Sequence, residues 1–211
     1  MVISASNVKS RRKDNPLLPS RRAGASVPAC RKPRRGKGSR VPETPEGLLA
    51  RLEALGIETR TVTHPPVFTV AESQALRGTL PGGHSKNLFL RPVKGNGPYL
   101  LAVLEEERKV SVNALARAAG AGRVEMAPAE ALRQVLGVEP GSVTPFGLVN
   151  AAPGSVRVVI DAALLRGHDR VHFHPLVNSM TTAIRPADLL RFLESLGHRP
   201  EVLELPENGG T

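Results

Sequence analysis

The sequence predicts an α+β fold, with a mixed, largely antiparallel sheet and helices packed against it. Three observations carry that prediction. Helix and strand signals interleave from Thr44 onward, they do so without a regular βαβ period or an internal repeat, and hairpin-length links join several of the strands. A doubly wound sheet would need the regular period that is missing here.

The first helix is announced by Thr44 as N-cap and Pro45 at the first helical position; Leu48, Leu49, Leu52 and Leu55 form its apolar face, and Gly56 closes it. Residues 57–63 read as a strand, broken by His64-Pro65-Pro66. Thr69 and Glu72 form a capping box for a short helix ending at Gly78. The apolar runs 87–91 and 99–104, joined by PVKGNGP, predict a hairpin. Ser111 caps a helix ending at Gly120, and 129–136 gives another that stops at Gly137. Short strands are expected at 123–126, 146–149, 156–161, 171–174 and 180–184. A last helix starts near Pro186, buries Leu189, Leu190, Leu193 and Leu196, and ends at Gly197.

Charge divides the chain in two. The 211 residues carry a net charge of +10, yet residues 1–40 hold 12 Lys/Arg against the single acid Asp14, whereas residues 41–211 hold 17 basic and 18 acidic side chains. The body is close to neutral, so any RNA contact it makes must rest on a few well-placed groups and not on a basic surface. Residues 1–40 alternate basic clusters with Pro, Ser and Gly, and predict a disordered tail ahead of a domain at 41–211. Three readings of the tail stay open: an RNA-binding arm, an import leader, or a start assigned too far upstream with Val41 as a GTG-encoded initiator.

The lone cysteine, Cys30, falls in the tail, so the body offers no disulfide, thiolate zinc ligand or thiol nucleophile. A reducing, cytoplasmic setting is expected. No apolar run approaches the roughly 20 residues that span a bilayer, so no membrane partner is expected. A Gly-Lys-Ser/Thr phosphate loop and a GxGxxG turn are both missing, which argues against ATP and dinucleotide cofactors. His172 and His174, two apart on a strand, share one face at a chelating spacing, but no third ligand is evident and no metal site is expected. Ser85 beside Lys86 is a poor Ser-Lys dyad, because neighbours on an extended segment point to opposite faces. Ser85 reads as a polar strand entry.

The segments left to carry chemistry are GGHSKNLFL at 82–90, GVEPGSVTPFGLVN at 137–150 and VHFHPLVNSMTT at 171–182. In this order and spacing they resemble the free-standing YbaK/ProX-type aminoacyl-tRNA deacylases, relatives of the editing domain inserted in bacterial prolyl-tRNA synthetases. The resemblance covers nearly all of residues 42–204 and implies the same α+β class. With HPPVFTVAESQALRG at 64–78 it lies closest to the alanine-editing branch. It departs from the family at Ala151, where relatives often carry Asp, and at His172.

What the resemblance implies is an ester hydrolase without a cofactor, acting on a tRNA acceptor end that carries a small amino acid, with alanine on proline tRNA favoured and prolyl-tRNA synthetase a candidate partner. It implies catalytic roles for Lys86, on the terminal phosphate, and for Asn87 and His174. Gly141, Ser142, Val143, Thr144 and Pro145 would supply backbone groups around the aminoacyl end, and Asn178 would orient it. Leu76 and Phe173, with Val67, Phe68 and Val70, would wall a pocket small enough to exclude proline. By residue chemistry alone other readings stay open: Lys86 as a solvated lysine, Asn87 as a turn residue, 141–145 as a plain turn and His174 as a bonded strand end. Two other functions stay open: editing of Ser-, Cys- or another aminoacyl-tRNA, and non-catalytic binding of tRNA ends.

Overall fold

A computed structural model of the chain describes residues 41–66 and 80–205. The expected helix at 69–78 and the wall residues Val67, Phe68, Val70 and Leu76 lie outside them.

Helix α1 (Pro45–Ala54) starts where the sequence places it, with the Thr44 hydroxyl accepting from Gly47 N at 3.1 Å. Leu48 and Leu52 are fully buried, whereas Leu55, expected on the same face, is 38 % exposed because it caps the helix and turns away from the core. Eight strands follow as β1 (Arg60–Thr63), β2 (Gly83–Pro92), β3 (Tyr99–Glu105), β4 (Val124–Met126), β5 (Val156–Asp161), β6 (Val171–Phe173), β7 (Met180–Ile184) and β8 (Glu201–Leu203). The remaining α-helices of the described residues are α2 (Val112–Ala118), α3 (Ala129–Ala131), α4 (Ala162–Arg166) and α5 (Pro186–Ser195). A π-turn at Leu132–Leu136 continues α3 and ends at Gly137, whose φ of 65° only glycine adopts readily.

The sheet is mixed, in the order β1-β7-β6-β2-β3-β5-β8, with β4 also on β2. Four ladders are antiparallel (β1-β7, β6-β7, β2-β3, β2-β4) and three are parallel (β2-β6, β3-β5, β5-β8). The expected hairpin is present, with Lys86 opposite Leu104 and Asn87 opposite Val103.

Alternation along β2 and β3 divides the core between the two faces of the sheet. Phe89, Leu101 and Val103 pack with Leu48 of α1, Phe146, Phe173 and Phe192 of α5. Leu90, Leu100, Ala102 and Leu104 pack with Leu115 of α2 on the opposite face. A change such as Phe192→Ala would leave a cavity in the larger cluster and cost about 3–5 kcal/mol.

One strand expectation is corrected. Residues 146–149 belong to a 3-10 helix, Pro145–Val149, in which the buried Thr144 hydroxyl accepts from Phe146 N at 3.3 Å and Pro145 occupies the first turn. These are the same Thr-Pro start signals seen at Thr44-Pro45, and they outweigh the apolar run. Helix α4 and strand β8 were not expected.

Candidate active site

Consecutive residues of β2 point to opposite faces, and this separates the Lys-Asn pair. Ser85, Asn87 and Phe89 share the face of the larger core, while His84, Lys86 and Leu88 share the other. Asn87 Nδ2 donates to the Val143 carbonyl at 2.9 Å and to Ser85 Oγ at 3.3 Å, and Ser85 Oγ donates to the His172 carbonyl at 3.2 Å. Asn87 Oδ1 is buried and has no hydrogen-bond partner among the described residues. Asn87 thus reaches from the middle of β2 to the 141–145 loop and fixes its distance from the sheet.

Lys86 is half-buried, and its Nζ donates to the carbonyl of Arg108 at 2.5 Å. That carbonyl is held in place in turn. The Arg108 guanidinium donates to both oxygens of the fully buried Asp161, at 2.9 and 3.3 Å, and to the Leu205 carbonyl at 3.3 Å. Asp161 also caps α4 through Ala163 N at 3.1 Å. Lys86 therefore leans on a corner of the fold that the Arg108–Asp161 pair braces.

The 141–145 loop is anchored at both ends. Gly141 has φ of 88°, and a β-carbon there would lie 3.8 Å from Asn178 Nδ2, so this turn and the β6-β7 connection are neighbours. Ser142 and Thr144 are buried, and Pro145 begins the 3-10 helix. Behind the loop, Asn150 ties three segments together: Nδ2 donates to the Leu136 carbonyl at 2.9 Å, and Oδ1 accepts from Glu43 N at 2.8 Å. A β-carbon at Gly137 would come within 2.6 Å of that same Nδ2. Glycine at 137 is thus required twice, for its φ and for its space.

His174 follows β6 directly. Its Nδ1 donates to the Met180 carbonyl at 2.9 Å, which fixes the tautomer and leaves Nε2 as an acceptor in the neutral ring. Burial pushes its pKa down; the Met180 bond opposes that and nearby His64 adds to it. The His64 and His174 ring centroids are 6.4 Å apart. His64 donates from Nδ1 to the Pro65 carbonyl at 2.8 Å and accepts at Nε2 from the Thr181 hydroxyl at 2.9 Å. Two residues beyond His174, Leu176 has φ of 70° with its side chain buried. Such backbone strain in a non-glycine residue gathers at functional sites.

His172 takes a different environment. It stacks on His84 with centroids 4.8 Å apart, and Nδ1 donates to the Gly83 carbonyl at 3.2 Å. Burial lowers its pKa, and His84 and His168 lower it further. The shared face expected for His172 and His174 does not bring their rings to a common point: His172 sits on His84, and His174 lies beside His64.

Of the expected site residues, the structure gathers Asn87, Gly141, Ser142, Val143, Thr144 and Pro145 in one group, with Asn178 against Gly141 and His174 at the start of the same β6-β7 connection. Lys86 sits on the other face of β2. Phe173, expected in the pocket wall, is 2 % exposed and packs edge-on against Phe146 in the core. Leu76 lies outside the described residues. Sequence reasoning missed His64 and the Arg108–Asp161 pair. His64 stands in the sequence as the start of a strand break and of the 64–78 motif, with no role of its own, and no local signal links residues 108 and 161.

The aminoacyl-tRNA editing domain family model matches residues 64–192. The prolyl-tRNA synthetase associated domain-containing protein 1 of Bos taurus is 40% identical over 161 residues, which cover 75% of this chain and 93% of that protein. The prolyl-tRNA editing protein ProX of Acetoanaerobium sticklandii is 31% identical over 160 residues, 76% of this chain and 96% of its own. A crystal structure of a protein put forward as a trans-editing enzyme for prolyl tRNA synthetase superposes with a TM-score of 0.58 at 22% identity, over 76% of this chain and 96% of that one. The α+β architecture, the matched segment and these relatives agree: the chain belongs to the aminoacyl-tRNA editing domain family, of the YbaK/ProX type.

Proposed function

We propose that this chain is a deacylase that hydrolyses alanine from proline tRNA. The observation that carries the reading is the Asn87–Val143 hydrogen bond, which holds the 141–145 loop at a set distance from the strand that bears Lys86. Family membership supports the substrate class, an aminoacyl ester on the terminal ribose of tRNA. Such an ester is activated already, so positioning and electrostatics suffice where a strong nucleophile is missing.

In this mechanism Lys86 Nζ leaves or shares its contact with the Arg108 carbonyl and meets the phosphate of the terminal nucleotide. The main-chain groups of the 141–145 loop surround the aminoacyl carbonyl. Water adds to the carbonyl carbon, the ester C–O bond breaks, and the proton released by the water ends on the ribose oxygen. The Nε2 lone pair of neutral His174 orients that water or accepts its proton in passing. Asn178 orients the aminoacyl group. Selection against proline is steric.

A deacylation panel tests this. Purified protein in metal-free buffer, offered Ala-, Ser-, Cys- and Pro-charged tRNA, should hydrolyse the alanyl ester and spare the prolyl ester; Leu76→Ala should widen acceptance to larger residues. Equal hydrolysis of alanyl and prolyl esters would sink alanine editing and leave a general deacylase. Preference for the seryl or cysteinyl ester would move the substrate within the same chemistry. No hydrolysis of any ester would leave a protein that only binds tRNA ends.

A further inference from the structure

We propose that the cleft between the tip of the β2-β3 hairpin and the α2-β4 turn is a second RNA site, which takes the sugar-phosphate backbone of the acceptor stem while the terminal nucleotide occupies the site at Lys86. The inference rests on the deacylase reading for its substrate and names where the rest of that substrate lies.

The cleft has a volume of about 510 Å³. Its floor is apolar, from Pro92, Leu100 and Val124, and three cations line it, Lys94, Arg123 and Arg157, with no carboxylate among the lining residues. Arg157 is neutralised by Glu201, to which it donates at 2.8 and 3.0 Å, and also donates to the Ala119 carbonyl at 2.7 Å. Lys94 and Arg123 have no ion pair among the described residues. Two cations without an ion pair among the described residues thus flank one cleft on a body that is near neutral. The backbone there is open as well: a β-carbon at Gly120 or Gly122 would meet nothing within 4 Å. An apolar floor with cations at the rim suits riboses below and phosphates above; a small anion would not need the floor.

Placement relative to Lys86 fits one continuous ligand. Lys86, Leu88, Leu90 and Pro92 alternate onto the same face of β2, so Lys86 and the cleft share a face. Six residues of strand separate them, about 20 Å. At roughly 3.4 Å per phosphate along a stacked strand, that distance covers about six nucleotides, past an unpaired end and into the first base pairs. Helix α2 packs on this face through Leu115 and presents Arg117 to solvent. Contacts confined to backbone and ribose match the way A-form RNA is bound, by shape and not by sequence.

The test uses the full chain and the double variant Lys94→Ala/Arg123→Ala. Kinetics are measured on a mischarged tRNA and on a short aminoacyl oligonucleotide that ends before the stem, with binding of an uncharged acceptor-stem hairpin followed across salt concentration. The expected result is a KM about tenfold higher on tRNA with kcat unchanged, and a salt slope of binding lower by about 1.5, as for two lost phosphate contacts. Activity on the short oligonucleotide should not move. An unchanged KM and salt slope on tRNA, or an equal loss on the stemless substrate, would overturn the second site. So would a variant that loses affinity for inorganic phosphate or AMP but not for the hairpin. Hairpin binding needs no hydrolysis, so a wild-type protein without deacylase activity would reject the proposed function and still leave this cleft open to the same measurement.

Discussion

Asn87 Nδ2 and the Val143 carbonyl, 56 residues apart in sequence, meet at 2.9 Å, and this single hydrogen bond ties the middle of β2 to the 141–145 loop. Asn87→Ala removes that donor and leaves the Val143 carbonyl without it. The expected loss is about 1 kcal/mol of stability, and the fall in kcat/KM on alanyl-tRNA should exceed what the stability change explains. Thermal melts and deacylation kinetics on the same preparation check this; activity that only follows the folded fraction would reduce Asn87 to a structural residue.

Lys86→Ala should behave differently. Among the described residues the half-buried ammonium donates to a backbone carbonyl, and the Arg108–Asp161 pair that orients this carbonyl is independent of it. Melting temperature should stay nearly constant while transition-state stabilisation falls by about 2–4 kcal/mol, roughly 30- to 1000-fold in rate. Near-full activity in a well-folded Lys86→Ala protein counts against the site.

Acid should weaken both fold and catalysis. His172, His174 and His198 all have pKa values lowered by burial from the ordinary 6.5. Below 6.5 the unfolded chain then binds more protons than the folded one, so stability rises with pH in that window. It is fully present above 6.5 and lost as pH falls through the lowered folded values. Melting temperature should be flat from pH 7 to 8 and drop toward pH 5. The acid limb of the deacylation rate should also lie below pH 6.5, because His174 acts in its neutral form. A melting temperature that rises on acidification contradicts this account.

His198 is 2 % exposed, and neither ring nitrogen makes a hydrogen bond of good geometry. The carbonyls of Ala151, Leu148 and Val156 offset the effect of burial only in part. Replacing an unsatisfied buried polar ring by an apolar side chain is neutral or favourable. His198→Leu should therefore raise stability by up to about 1 kcal/mol and flatten the acid limb of the melting curve. A lower melting temperature would show that those carbonyls do hold the ring.

The parts of the fold legible in the sequence are those governed by neighbours a few residues away. Thr44 with Pro45, Ser111 and Gly137 mark helix ends where the structure has them, and 156–161 and 180–184 are strands with those limits. A cap or a turn is decided by one side chain and the backbone beside it. The same local rule, unapplied at Thr144-Pro145, would have turned the expected strand at 146–149 into the 3-10 helix that is there. The three motifs supply Asn87, the 141–145 loop, His174 and Asn178, which the structure brings near one another.

Long-range pairing settled the rest. Lys86 and Asn87 are separated by the alternation of β2, but which face each one takes, that of Leu115 or that of Phe146, is set by how the strands pair and pack. The Lys86 contact spans 22 residues, the Arg108–Asp161 pair 53 and the Asn87–Val143 bond 56. His64 joins the site only because β1 pairs with β7 and brings it beside Thr181 and His174. No local propensity encodes such partners; they follow from which apolar faces can be buried together once the strands are paired.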